Sequence, residues 1–156
     1  MLASTRQPIL PVIQQHAEDS TILRHMRSML VRAPHVKLLH LGRLDERIAA
    51  HLDGVAVAGE DGYRLCEAAL ETPGAGEVFA AAVGAIESKD KARMDRLFAL
   101  AEALSDARRG LVSAFGWVSA PYLHGTVAKL LASAEPIRRE IGIATCIMHH
   151  FDPGAM

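Results

Sequence analysis

Histidine and aspartate are the residues of this sequence most able to do chemistry, and the densest group of them lies near its end. His149, His150 and Asp152 fall within four positions, and imidazole and carboxylate groups are common ligands of zinc. Adjacent residues of a helix point about 100° apart, so two neighbouring histidines rarely reach one ion. A histidine near a helix C-terminus is also favoured by the helix dipole. We therefore predict no metal and no cofactor. The weaker alternative is a metal site formed by His149, His150 and Asp152.

A second group of polar residues occurs earlier in the chain. Asp45, Arg47, His51 and Asp53 lie within nine positions, in a segment whose apolar residues have helical spacing. Acidic residues early in a helix favour its dipole, and a histidine on an apolar face usually has a buried partner. We interpret these four residues as a structural polar cluster.

Motifs for covalent or phosphate chemistry are absent from the sequence. It contains no Gly-x-Ser-x-Gly and no Gly-x-x-x-x-Gly-Lys-Ser/Thr, the patterns of nucleophile elbows and phosphate-binding loops. Cys66 and Cys146 each lie in an apolar helical pattern with no neighbouring base, which is typical of buried free thiols in a reducing compartment. We predict that the protein is not an enzyme.

Charge and hydropathy exclude further classes of partner. The chain has 156 residues, with 17 Lys and Arg against 18 Asp and Glu, so it lacks the basic excess that neutralises nucleic-acid phosphates. No apolar run has the length of a membrane-spanning helix, and the start of the chain, broken by Pro8 and Pro11, does not resemble a signal peptide. We predict a soluble, cytoplasmic protein with no nucleic-acid or membrane partner.

Helices are the elements expected to position these residues. Half of the residues are apolar, and alanine and leucine, which favour helices, are abundant. We predict an all-α fold of eight to nine short helices in a single domain, 1–156. Residues 1–59 form its N-terminal helices, and residues 60–156 form HEAT-like hairpins.

Caps and apolar stripes divide the N-terminal region into helices. We predict a first helix over 8–17 and a second from a cap at Asp19 or Ser20 to about residue 33. The core-facing stripe of the second consists of Ile22, Leu23, Met26 and Leu30. A third helix follows, with its stripe at Leu44, Ile48, His51, Leu52 and Val55.

Four helices after residue 87 pair into two hairpins. Ser88 and Ser105 are expected N-caps, and Pro121 and Pro136 are expected first-turn residues. Corresponding helices of the two pairs start about 30 residues apart, a spacing typical of stacked helical hairpins. We therefore predict a right-handed α-solenoid-like stack, with an irregular helical bundle as the alternative.

Three phrases of the sequence carry a family resemblance. LDERIAAHLDG at 44–54, AVAG at 56–59 and HHFDPG at 149–154 together resemble an uncharacterised family of proteobacterial HEAT-repeat proteins, often encoded beside type VI secretion genes. The resemblance extends over 9–154. It implies a short version of the N-terminal module of that family, without the C-terminal solenoid of its longer members.

The last predicted helix has an apolar outer side, which points to protein binding. A terminal repeat needs a polar outer face or a partner, yet Ile143, Cys146 and Ile147 lie off the expected inward stripe. We predict a non-enzymatic protein-binding scaffold, and the resemblance implies an adaptor or chaperone for type VI secretion cargo. A homodimer through the same surface is the alternative. The candidate contact residues are Trp117, Tyr122, Arg139, Ile143, Ile147 and His150.

Two other functions stay open. An immunity-type inhibitor of a toxin would abolish the activity of its partner, whereas an adaptor would deliver the partner. A small His/Asp metal-dependent hydrolase would use His149, His150 and Asp152, or His51 and Asp53. It would bind stoichiometric metal and, with the first set, lose it on His149→Ala.

Overall fold

The computed structural model describes residues 9–152 and shows an all-α protein, as predicted. Both a helical repeat and a helical bundle are compatible with it. None of the described helices combines the length and the apolar character needed to cross a membrane. The elements of this region are nine α-helices and a 3₁₀ turn over Ala69–Glu71: α1 (Leu10–Leu30), α2 (Leu38–Val57), α3 (Glu60–Ala68), α4 (Ala75–Glu87), α5 (Lys91–Ala103), α6 (Ser105–Trp117), α7 (Ala120–Leu123), α8 (Thr126–Leu131) and α9 (Pro136–His149).

The chain divides into two compact units, the first ending at Ala68 and the second beginning at Ala69. Residue 59, where the sequence analysis separates the N-terminal helices from the hairpins, lies at the turn between α2 and α3, and Gly59 has a φ of 59° there. Since α3 packs against both α1 and α2, it belongs to the first unit.

In the first unit, α1 and α2 form a hairpin that packs along its length. The predicted stripe of α2 is confirmed, since Leu44, Ile48, Leu52 and Val55 are buried and His51 is half-buried. From α1, the buried residues are Ile13, Ala17, Ser20 and Leu23. Burial of these two stripes supplies the apolar contact of the hairpin.

The break predicted between the first and second helices is wrong. α1 continues without interruption from Leu10 to Leu30, and the expected start at Pro8 lies outside the described residues. Ser20 does not cap a helix, because its buried hydroxyl donates a hydrogen bond of 2.8 Å to the carbonyl of Ala17, a bond compatible with a helix interior.

The predicted stripe of this segment is also wrong in part. Leu23 is buried, but Ile22 and Met26 are 54% and 41% exposed. Successive residues of an α-helix point 100° apart, so Ile22 lies toward the outer side of α1 although the adjacent Leu23 faces α2. An apolar side of α1 therefore remains uncovered.

In the second unit, α4 is the central helix. Every residue from Val78 to Ile86 is buried, as expected for a helix that is apolar all round. α4 packs against α5 and most extensively against α6, and α6 packs in turn against α9. The adjacent helices α5 and α6, and likewise α8 and α9, contact each other as the predicted hairpins require.

Several predicted helix starts differ from those observed. Ser88 ends α4, and its hydroxyl donates to the carbonyl of Gly84. The side chain of Asp90 caps α5 by accepting from the backbone N–H of Arg93. The single helix expected after Pro121 is two, because Gly125 adopts a φ of 71° between α7 and α8, a conformation that glycine permits at no steric cost.

Candidate functional site

Helix α9 and the residue that caps its C-terminus carry four of the six predicted contact residues. Pro136 begins the helix, as predicted, because a proline at this position loses no helical hydrogen bond. Ile137 and Ile141 are buried. Arg139, Ile143 and Ile147 lie within an arc of about 80° on the opposite side, and His150 follows at the end of the helix. We call these last four residues the α9 outer face.

The α9 outer face is apolar at its centre and polar at both ends. Ile143 is 54% exposed and Ile147 is 69% exposed. The guanidinium of Arg139 donates hydrogen bonds of 2.7 and 2.8 Å to the carbonyls of Ser133 and Ala134, which holds it beside the loop that precedes α9. His150 is exposed at the other end.

The buried side of α9 differs from the predicted one, since Met148, expected to face inward, is 40% exposed. Cys146, expected on the outer side, is buried, and so is Thr145, whose hydroxyl donates to the carbonyl of Ile141. Because Cys146 and Ile147 differ by 100° round the helix, the first is covered and the second is not. The outer face is therefore narrower than the sequence indicated.

The two aromatic candidates lie on other helices. Tyr122 is 40% exposed on α7. Trp117, the last residue of α6, is half-buried, and its ring meets that of Phe79 edge to face with centroids 5.6 Å apart. Such contacts stabilise a core, so Trp117 has a packing role in the second unit.

The histidines at the end of α9 diverge. His149 Nε2 lies 2.7 Å from the carbonyl oxygen of Phe115, to which it donates, and its ring stacks on that of Phe151 with centroids 5.1 Å apart. His150 has a φ of 55° and ends the helix. Within residues 9–152, no group of three or more His, Cys, Asp or Glu side chains converges in a way that could hold a metal ion.

The predicted polar cluster divides between different partners. Asp45 accepts two hydrogen bonds from Arg27 of α1, with Oδ1 2.5 Å from Nε and Oδ2 3.1 Å from Nη2. These bonds raise the pKa of Arg27. Arg47 and Asp53 are exposed. Asp45 therefore ties α2 to α1.

His51 meets a second histidine across the same hairpin. Its Nδ1 lies 3.1 Å from Nδ1 of His16 and 3.8 Å from a carboxylate oxygen of Asp19. The sequence did not reveal His16 or Arg27 as partners, because both are distant along the chain. One local signal existed: Gly54, one turn after His51, leaves the space in which the His16 ring lies, and a Cβ there would come within 2.7 Å of that ring.

The thiols have the character of packing residues. Cys66 and Cys146 are both buried and free, as predicted. Burial, with a smaller contribution from the charge of Glu67, raises the pKa of Cys66 to about 11. A protonated, buried thiol is a poor nucleophile.

Comparison of the chain with protein-family models, with curated proteins and with solved structures finds no match in any of the three. The fold and the site define its class as an all-α protein with an exposed apolar helix face. The resemblance to HEAT-repeat proteins stays a prediction.

Proposed function

We propose that this protein is a non-enzymatic helical scaffold that binds another protein through the α9 outer face. The observation that carries the proposal is the exposure of Ile143 and Ile147 on the side of α9 opposite the core. Full burial of one isoleucine side chain contributes about 1.5–3 kcal/mol. Covering both side chains would therefore supply a substantial part of the free energy of binding of the complex.

The surroundings of these isoleucines suit a protein interface. Interfaces commonly have an apolar centre and a polar rim that excludes water from it. Arg139 lies at one end of the face with its guanidinium already held by two carbonyls, so less side-chain entropy is lost when a partner docks beside it. Tyr122 is a further contact candidate because of its exposure.

The family resemblance supplies the proposed biological role. We propose that the bound protein is a cargo or accessory protein of type VI secretion and that the scaffold acts on it in the cytoplasm as an adaptor or chaperone. The identity of the protein captured in the experiment below tests this role separately from the binding surface.

The test is an affinity capture of the tagged chain from its native cytoplasm, followed by reconstitution with the purified captured protein and mass-resolved size exclusion. Ile143→Asp/Ile147→Asp is expected to abolish the complex, because two carboxylates then replace the apolar centre. Leu10→Asp/Val12→Asp is the matched control, since both residues are exposed and acids suit the first turn of a helix. It is expected to bind as the wild type does.

Both variants must first match the wild type in helix content and unfolding midpoint. A complex that survives the α9 substitutions, or a monomer that captures no stoichiometric partner, would contradict the scaffold proposal. If the complex forms but the activity of the partner is abolished, the protein is an inhibitor of the immunity type rather than an adaptor.

A further inference from the structure

The loop end of the α1–α2 hairpin presents a second apolar surface, in the first unit. Ile22, Met26 and Met29 of α1 are 54%, 41% and 61% exposed. Their spacing of four and three residues places them on one stripe of the helix. Leu38 and Leu39, in the first turn of α2, are 86% and 62% exposed. We call these five residues the hairpin-end surface.

The same segment carries only positive charge. Between Asp19 and Asp45 the sequence has five Lys and Arg residues and no Asp or Glu, whereas the whole chain has a net charge of −1. The basic residues that follow the stripe, Arg32, Lys37 and Arg43, are all exposed. A local positive field of this kind attracts anionic partners.

We propose that the hairpin-end surface binds an acidic amphipathic helix of a partner protein. The stripe from Ile22 to Met29 spans about 10 Å at 1.5 Å per residue, and apolar residues at this spacing pack against the corresponding stripe of another helix. Methionine adapts its shape to varied partners. Acidic residues beside the apolar stripe of the partner would complement Arg32 and Lys37.

The placement of the cations favours a protein helix over a lipid surface. Helices that lie on anionic membranes carry basic residues along their polar face. Here Arg32, Lys37 and Arg43 all follow the stripe in the chain. Within the stripe, Arg27 is paired with Asp45 and the guanidinium of Arg24 donates to the hydroxyl of Ser28. Three of the five basic residues of the segment thus lie beyond one end of the stripe. The proposal is independent of the α9 outer face.

The first measurement is the fluorescence anisotropy of a labelled synthetic peptide titrated with the full chain. The probe has leucines at the spacing i, i+4, i+7 and glutamate and alanine elsewhere. Controls are a scrambled peptide of the same composition and a version with lysine in place of glutamate. We expect saturable binding of the first peptide alone, and weaker binding at 1 M salt, where the screening length falls to about 3 Å.

Two double variants locate the binding. Met26→Ser/Met29→Ser and Arg32→Glu/Lys37→Glu are each expected to weaken binding of the acidic peptide about tenfold or more, through lost apolar contact in the first and charge repulsion in the second. Arg64→Glu/Lys129→Glu changes the net charge by the same amount at exposed positions elsewhere.

The control variant is expected to bind as the wild type does, and the unfolding midpoint of each variant is checked first. Binding of the scrambled peptide as strong as that of the probe would overturn the proposal, and so would unchanged binding by both test variants. Vesicles containing phosphatidylserine are titrated in parallel. If the chain binds them rather than the peptide, with the same dependence on Met26 and Lys37, the surface is a lipid site and the proposal is wrong.

Discussion

Replacement of Gly110 by alanine tests the close packing of α6 against α4. A Cβ at this position would lie 2.4 Å from the carbonyl oxygen of Ala75 and 3.0 Å from Cβ of Val78. Carbon–oxygen contacts in proteins are normally about 3.3–3.6 Å. The new methyl group would therefore overlap a backbone atom by about 1 Å.

Two opposing effects decide the stability of Gly110→Ala. Alanine is favoured over glycine inside a helix by about 1 kcal/mol, whereas overpacking a core costs about 1–3 kcal/mol. The atom in the way is a backbone carbonyl of α4 rather than the end of a flexible side chain, so relief requires the two helices to separate. Such an overlap with backbone falls in the upper part of the overpacking range, about 2–3 kcal/mol, so we expect a net loss of about 1–2 kcal/mol. Each kcal/mol lost lowers Tm by about 2–4 °C for a chain of this size.

The assay is urea unfolding followed by far-UV circular dichroism, with Gly42→Ala as the matched control. Gly42 lies inside α2, and a Cβ there would meet no atom within 4 Å, so this variant is expected to gain about 0.5–1 kcal/mol. If Gly110→Ala is as stable as the wild type, the overlap argument fails. If both variants lose the same free energy of unfolding, the advantage assigned to alanine over glycine within a helix was misjudged.

Three further predictions concern ionisable groups. Burial raises the pKa of Cys66 from 9.0 to about 11, so the folded protein keeps a proton that the unfolded chain releases, and stability should fall as the pH rises from about 9 to 11. Urea unfolding of Cys66→Ala should lack this component, and an unchanged pH dependence would refute it. Hydrogen bonds from Lys91 and Arg138 lower the pKa of Asp95. The stability that these bonds provide should therefore be present above the ordinary aspartate pKa of about 3.9 and disappear as the pH falls through the lowered value. Thermal unfolding of Asp95→Asn in acid should show less dependence on pH than the wild type, and equal dependence would contradict the assignment. For Arg27 and Asp45, whose side chains are each about one third exposed, a double-mutant cycle with Arg27→Met and Asp45→Asn should give a coupling of about 0.5–1 kcal/mol, and a coupling of zero would exclude a stabilising pair.

Local patterns in the sequence predicted the buried side or the start of some helices. The spacing of Leu44, Ile48, Leu52 and Val55 identified the buried side of α2, and Pro136 marked the start of α9. Each depends on residues within one or two turns, which is the range over which helical periodicity and capping act. Ser88 failed as a cap because Asp90, two residues later, also has a capping side chain and takes that position.

The candidate site was predictable in outline. An isolated amphipathic helix has an outer side, so Ile143 and Ile147 could be placed there from their positions alone. Cys146 could not, because its burial depends on how far the neighbouring helices extend round α9. The exposure of Ile22 and Met26, which the sequence placed in the core, has the same reason, since no neighbouring helix among the described residues covers that side of α1.

The sequence by itself determined that the chain is helical, where its helices have apolar sides, and that the outer side of α9 is apolar. Only the tertiary structure decided the contact of His16 with His51 and the division of the chain after Ala68. It alone showed that one apolar side of α1 is left uncovered. Periodicity records which side of a helix is apolar, but the neighbours that cover that side come from residues distant along the chain.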